Sequence, residues 1–107
     1  MPPKLRYEIY LPTLYNNKKP IDASKYRYVK NKLLKRCRSY SIHPATVQGT
    51  WVDEDTNIVY FDNCFRFEIT VDKNPENELF FEDFKIELLQ LFKQHQIYMI
   101  CTEVNWI

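Results

Sequence analysis

The sequence predicts a small α+β domain in which an antiparallel sheet carries two helices on one face. Two segments repeat apolar residues every three or four positions, the segments around them alternate apolar and polar residues, and the two kinds follow a recognisable order. The 107 residues suffice for one hydrophobic core and are too few for two. We therefore expect a single domain over 1–107.

The first strand and the first helix follow from different periodicities. Residues 5–11 alternate apolar and polar side chains, and Pro12 ends this strand because proline has no N–H to donate. Asp22 is placed to cap a helix whose apolar residues recur at helical spacing. These apolar residues are Tyr26, Val29, Leu33, Cys37 and Tyr40.

The middle of the chain is predicted to be extended. Residues 40–45 form a loop, since the residue before Pro44 is disfavoured in helical backbone. Residues 46–52 form a strand, 53–57 a polar turn, and 58–71 a further extended segment. Asp62 and Asn63 are expected to form a bulge or a break within it.

The second helix begins at Asn74 and Pro75, an N-cap followed by a residue suited to the first helical position, and runs to about Gln94. A last strand covers 97–104. The resulting order, βαββαβ, is that of a ferredoxin-like sandwich. We expect its first and third strands to be central neighbours.

Composition excludes several classes of protein. The only glycine, Gly49, cannot build a glycine-rich phosphate loop. The longest apolar runs are too short to span a bilayer, and the N-terminus lacks the apolar stretch of a signal peptide. Three widely spaced cysteines fit reduced thiols. We therefore expect a cytoplasmic protein without a membrane partner.

Neither a metal nor a cofactor is expected. Asp53 and Asp55 have the spacing that opens a calcium loop, but Cys64 stands where a bidentate glutamate is required, so a hairpin turn is favoured. His43 and His95 are not at zinc-ligand spacing from a cysteine or from each other. His95 is expected to cap the end of the second helix.

The cysteines are expected to be structural. Cys37 and Cys101 fall in the apolar patterns of a helix and a strand, and so are predicted to be buried. Cys64 is followed two positions later by Arg66, which could stabilise a thiolate, but no base is evident. A structural role is favoured over a nucleophile.

Charge divides the chain in two. Residues 1–40 contain 11 lysines and arginines against two acidic residues, whereas residues 41–107 contain 4 against 12. The two helices could neutralise each other, or the first could bind nucleic acid, and the first interpretation is favoured. The basic residues concerned are Lys25, Arg27, Lys32, Lys35, Arg36 and Arg38.

The sheet face without helices is a predicted binding surface. The fold should place Arg6, Glu8 and Tyr10 of the first strand near Arg66, Glu68 and Thr70 of the third. Ion pairing or burial in a dimer is favoured there, and a small enzyme using Glu8, Glu68 and His43 is the alternative. As stacking platforms for RNA, this face offers only Tyr10 and Tyr98.

The second helix is apolar on two sides. Leu79, Ile86 and Leu89 lie roughly opposite its core stripe, which predicts a contact surface. We therefore expect a non-enzymatic domain that self-associates, as a homodimer, or binds another protein. Nucleic-acid binding through the first helix is the second hypothesis, and catalysis is the third.

Two further segments are similar to segments of known protein families. The chain resembles small uncharacterised bacterial families of ferredoxin-like shape in the segment Thr46 to Asp53 and in a glutamine, Gln94 or Gln96, shortly before Ile97 and Tyr98. These families have no established activity. The resemblance thus implies the fold and assigns no functional residue.

Overall fold

The computed structural model describes residues 3–43 and 46–107, with the backbone alone at Phe61. Pro44 and Ala45, part of the predicted loop, lie outside the described residues. The elements are β1 Lys4–Pro12, α1 Ala23–Cys37, β2 Ser41–Ile42, β3 Val47–Val52, β4 Val59–Asp72, α2 Pro75–Leu91 and β5 Met99–Val104.

The described strands form a five-stranded antiparallel sheet in the order β2-β4-β1-β5, with β3 paired to the first part of β4. In the β1–β4 register, Glu8 lies opposite Glu68 and Tyr10 opposite Arg66. This confirms that the first and third predicted strands are central neighbours.

Both helices pack on one face of the sheet. Leu5, Ile9 and the other odd-numbered residues of β1 are buried beneath them. Tyr7 stacks on Phe81 of α2 with ring centroids 3.8 Å apart. Lys4, Arg6, Glu8 and Tyr10 are half-buried on the other side, which we call the open face. The predicted ferredoxin-like α+β fold is confirmed.

The residues at the N-cap positions of the two helices make different hydrogen bonds. The Asn74 side chain accepts a hydrogen bond from the Asn77 N–H at 2.8 Å, as expected for the N-cap of α2. Asp22 occupies the N-cap position of α1, but its carboxylate accepts a hydrogen bond from the Tyr15 hydroxyl at 3.0 Å. Asp22 thereby connects α1 to the preceding loop.

The strands of the structure differ from the predicted strands in three places. Residues 41–42, predicted as loop, form β2 because Ile42 pairs with Phe67. Asp62 does not break β4, since it pairs with Gly49 and keeps the ladder continuous. The last strand begins at Met99, two residues later than expected.

The prediction that His95 caps the second helix is wrong. Helix α2 ends at Leu91, and the N–H of Gln94 bonds back to the Leu89 carbonyl. His95 therefore lies beyond the helix and is exposed. The chain turns there because Lys93 adopts a left-handed backbone conformation, with φ at 52°.

Candidate ligand pocket and open face

A pocket of about 500 Å³ opens between the β3–β4 hairpin, the end of β1 and the segment that joins α2 to β5. Its aromatic lining residues are Tyr10, Trp51 and Tyr98. Asp62 and Gln94 are among its polar residues. Apolar pockets with a few polar groups are typical of small-molecule sites.

The aromatic walls are held in place by neighbouring side chains. Tyr10 and Tyr98 have ring centroids 5.3 Å apart, and Trp51 stacks on Tyr60 at 4.6 Å. The Trp51 indole N–H donates to Asp62 Oδ2 at 2.8 Å. Tyr98 is nevertheless 63% exposed, so much of its ring surface is open to solvent.

Polar groups lie at the pocket's edge. The Gln94 side chain donates to the Phe92 carbonyl at 3.0 Å, which fixes its amide beside the pocket. Thr50 and Gln96 also line the space. The pocket thus combines flat aromatic surfaces with side chains that can donate and accept hydrogen bonds.

The cysteines behave as structural residues with one exception. Burial, together with the nearby Asp62 carboxylate, raises the pKa of Cys64 to about 11, so this thiol stays protonated at neutral pH. Cys37 packs against the core, as expected. Cys101 is exposed, so the prediction that it is buried is wrong. Its side chain lies on β5, the edge strand of the sheet.

The open face contains the four residues predicted for it, and His43, predicted beside Glu8 and Glu68 only in the enzyme alternative, lies with them. Arg66 Nη2 lies 2.5 Å from His43 Nε2 and 3.7 Å from Glu68 Oε1. His43 Nε2 lies 3.5 Å from the same Glu68 oxygen. Glu8 stands opposite Glu68, and Arg6 is two residues further along β1. Acidic and basic groups therefore alternate along the centre of this face.

Two guanidinium nitrogens on this face lack partners. The Nε atoms of Arg6 and Arg66 are buried, and neither has a hydrogen-bond partner among the described residues. A buried donor without an acceptor costs free energy.

The contact surface predicted on α2 from Leu79, Ile86 and Leu89 contains only the first two of these residues. Leu79 and Ile86 are 57% and 58% exposed, two helical turns apart. Leu89 instead packs partly buried against the core, so it does not share their surface.

The basic residues of α1 are neutralised less than expected. Lys32 Nζ lies 2.6 Å from Glu87 Oε2, and the Arg36 guanidinium sits 5.1 Å from the Phe80 ring centroid. Within the described residues, the other five basic residues named above have no carboxylate in ion-pair range. Among these six basic residues, charge pairing between α1 and α2 therefore neutralises only Lys32, as far as the described residues show.

The acidic turn behaves as expected. Asp53 Oδ1 accepts from the N–H groups of Asp55 and Thr56 at 2.9 and 3.1 Å, which is the geometry of a side-chain-stabilised turn. Over 3–43 and 46–107, no group of potential metal ligands comes together. In the same ranges, no helix has the length and apolar character to cross a membrane.

The described residues form a small ferredoxin-like fold, and solved structures that share this fold include the following three. A phage SAM lyase in complex with S-methyl-5'-thioadenosine superposes with a TM-score of 0.70 at 14% identity, over 94% of this chain and 81% of that one. B. subtilis GlnK in complex with ATP gives 0.56 at 15% identity, over 97% and 84%. The divalent ion tolerance protein CutA1 of Ehrlichia chaffeensis gives 0.58 at 13% identity, over 99% and 84%.

These likenesses show the fold alone, because all three identities are low. No protein-family model matches the chain, and no curated protein matches it. The resemblance to small bacterial families is therefore confirmed only as far as the ferredoxin-like fold.

Sequence reasoning missed the pocket. Tyr10 and Tyr98 were recognisable as aromatic residues on the open face, but their partners Trp51, Asp62 and Gln94 come from distant segments. The available signal was the excess of aromatic residues, 16% of the chain, beyond what the core pattern used.

Proposed function

We propose that this chain binds a small molecule that contains an adenosine group, in the pocket lined by Tyr10, Trp51 and Tyr98. The observation that carries the proposal is the pairing of exposed aromatic surface with polar edges in one pocket. Support comes from two proteins of the same fold whose structures hold adenosine compounds, S-methyl-5'-thioadenosine and ATP.

Adenine suits the chemistry of this pocket. Its flat ring can stack on an aromatic side chain, an interaction that contributes about 1–3 kcal/mol per base. Its amino group can donate to a carboxylate or amide oxygen, and its ring nitrogens can accept from an amide or hydroxyl. Asp62, Gln94 and Thr50 supply such groups at the pocket's edge.

Calorimetric titration with S-methyl-5'-thioadenosine tests the proposal. We expect saturable binding with one site per chain, and quenching of tryptophan fluorescence. Trp51→Phe should remove the fluorescence change, whereas Trp106→Phe should preserve it, since Trp106 is not among the pocket residues. Absence of heat and of quenching up to millimolar ligand would overturn the proposal.

A second pair of variants separates the pocket from general stability. Tyr98→Ala should weaken binding by about tenfold, because it removes an exposed ring that lines the pocket. Tyr28→Ala is the control for affinity, since Tyr28 is an exposed tyrosine on α1 that does not line the pocket. Equal effects of the two substitutions on affinity would contradict the assignment.

We also propose self-association, as a homodimer. Exposed aliphatic side chains in two places favour it, at the end of the β3–β4 hairpin and at Leu79 and Ile86 on α2. The hairpin residues are Val52, Ile58 and Val59. Light scattering at high micromolar concentration should give twice the chain mass, and a strict monomer would overturn this proposal.

We further propose that binding proceeds without turnover, in the cytoplasm. Three free thiols support a reducing compartment. His43 Nε2 lies 3.5 Å from Glu68 Oε1, so catalysis by this pair is tested directly. Mass spectrometry of adenosine compounds recovered after incubation should show them intact, and a product dependent on Glu68 would favour the enzyme hypothesis instead.

Nucleic-acid binding receives less support from the structure. A strand lying on the open face would bring its phosphates near Glu8 and Glu68, which would repel them. The basic face of α1 could bind phosphate without the pocket. Binding of a generic oligonucleotide at low salt, lost when Arg27 and Lys35 are reversed in charge, would support that hypothesis.

A further inference from the structure

The open face continues directly from the pocket along the β1–β4 ladder. Tyr10 borders the pocket and pairs with Arg66. The next residues on the same face of the ladder are the Glu8–Glu68 pair, and Arg6 follows. At ~3.4 Å per residue, the paired carboxylates lie roughly 7 Å beyond Tyr10 along the strand. A short extension of a ligand in the pocket would reach them.

This order of charges fits a group that carries both signs. Two carboxylates facing each other form a site for an ammonium group, which would relieve their repulsion. Arg66 beside the pocket and Arg6 beyond it could each bind a carboxylate. Arg66 Nη2 lies 2.5 Å from His43 Nε2 and 3.7 Å from Glu68 Oε1, so this guanidinium is held in position on the open face.

The same order disfavours a polyphosphate tail. Phosphate groups that extended from Tyr10 along β1 would meet the Glu8 and Glu68 carboxylates. A backbone cradle of several glycines is excluded, since Gly49 is the only glycine of the chain. Two proteins of this fold hold adenosine compounds, S-methyl-5'-thioadenosine and ATP. The first has no phosphate, so it is the better guide to the ligand of this protein.

We propose that the ligand of this protein is an adenosine compound with a zwitterionic, amino-acid-like tail, whose ammonium group is held between Glu8 and Glu68 and whose carboxylate is bound by Arg66 or Arg6. This inference rests on the proposed function, because it places the adenosine group in the aromatic pocket.

Three probes that differ only beyond the ribose test it. S-methyl-5'-thioadenosine has no charged tail, S-adenosylhomocysteine has an amino-acid tail, and ATP has a triphosphate. We expect S-adenosylhomocysteine to bind about tenfold or more tightly than S-methyl-5'-thioadenosine, in keeping with the strength of charge-assisted hydrogen bonds. ATP should bind more weakly than either.

Variants locate the tail. Glu8→Gln keeps the shape of the side chain and removes one charge, so it should lower the affinity for S-adenosylhomocysteine while leaving that for S-methyl-5'-thioadenosine unchanged. Glu54→Gln is the matched control, since Glu54 is exposed in the β3–β4 turn. Arg6→Gln provides a second test, because Arg6 lies at the far end of the charged row.

The outcomes distinguish this inference from the proposed function. Equal affinities for the two thioethers, or ATP as the tightest ligand, would overturn the zwitterionic tail and leave adenosine binding intact. Loss of affinity for both thioethers in Glu8→Gln would also count against it. Failure of all three probes to bind would overturn both.

Discussion

Glu8 and Glu68 face each other directly across the two central strands, on the side of the sheet that carries no helix. Glu68 is approached by Arg66 and His43, at 3.7 and 3.5 Å. Like charges directly opposite each other destabilise a sheet. Glu68 therefore has Arg66 and His43 beside it and a second carboxylate, that of Glu8, opposite it.

Removing one of these charges should stabilise the fold. Glu8→Gln is expected to raise the free energy of unfolding at neutral pH by about 0.2–1 kcal/mol, because the repulsion with Glu68 is lost. Urea denaturation measures it. Glu54→Gln, in an exposed turn, should change the free energy little, and a Glu8→Gln variant less stable than the wild type would show that the pair is not repulsive.

Alkaline unfolding should depend on Tyr26. Burial is the main reason that the pKa of Tyr26 is raised to about 12, and its hydroxyl donates to the Pro12 carbonyl at 2.6 Å. Between pH 10 and about pH 12 the unfolded chain loses this proton and the folded chain keeps it, so stability falls as pH rises.

Tyr26→Phe should therefore flatten the fall in unfolding free energy over that pH window. Burial also raises the pKa of Tyr7, so part of the fall will remain. Tyr98→Phe is the control, because that ring is mostly exposed. Identical alkaline slopes for Tyr26→Phe and the wild type would contradict the role given to Tyr26.

The contact between α1 and α2 should be sensitive to acid. Burial opposes ionisation of Glu87, but hydrogen bonds from Lys32 and Tyr28 outweigh it and lower the pKa of this carboxyl below its ordinary value of 4.5. The stability it provides is present above pH 4.5 and is lost as pH falls through the lowered value.

Glu87→Gln should cost up to about 1 kcal/mol at neutral pH, since the pair is partly exposed. The difference from the wild type should shrink in acid, as measured by urea denaturation across pH. Glu82→Gln, on the exposed part of the same helix, should show a smaller effect. A difference that is constant with pH would argue against the ion pair.

The three thiols should react at very different rates. Cys101 is exposed, whereas burial raises the pKa of Cys37 and of Cys64, the latter to about 11. Alkylation of the native protein followed by peptide mass spectrometry should find Cys101 modified first. Cys101→Ser should abolish the fast phase, and early labelling of Cys64 would contradict the burial described here.

Local patterns were sufficient for the central part of the fold. The alternation over β1 assigned its two faces, and the same alternation in β4 placed Arg66 and Glu68 beside Glu8 once the strand order was recognised. The cap at Asn74 was likewise predictable, because the interaction that fixes it spans three residues. Such features depend on neighbours in sequence.

Other features depend on partners far away in the chain. The two-residue strand β2 has too little periodicity to be recognised, and it exists because Ile42 pairs with Phe67. That pairing carries His43 to Arg66 and Glu68. The sequence alone placed His43 in a loop and grouped it with Glu8 and Glu68 only in the enzyme alternative.

The sequence by itself thus determined the class of fold, the two faces of the central strands and the charges on the open face, because each follows from local periodicity. Tertiary structure alone decided the pocket, since Trp51, Asp62 and Tyr98 meet only where the β3–β4 hairpin turns toward the end of β1. Pairing between strands that are distant in the chain leaves no periodic pattern in either segment, so it cannot be predicted from the sequence pattern. Tyr10 belongs to both sets of features. Its place on the open face follows from the alternation in β1, whereas its place in the pocket follows from the tertiary structure.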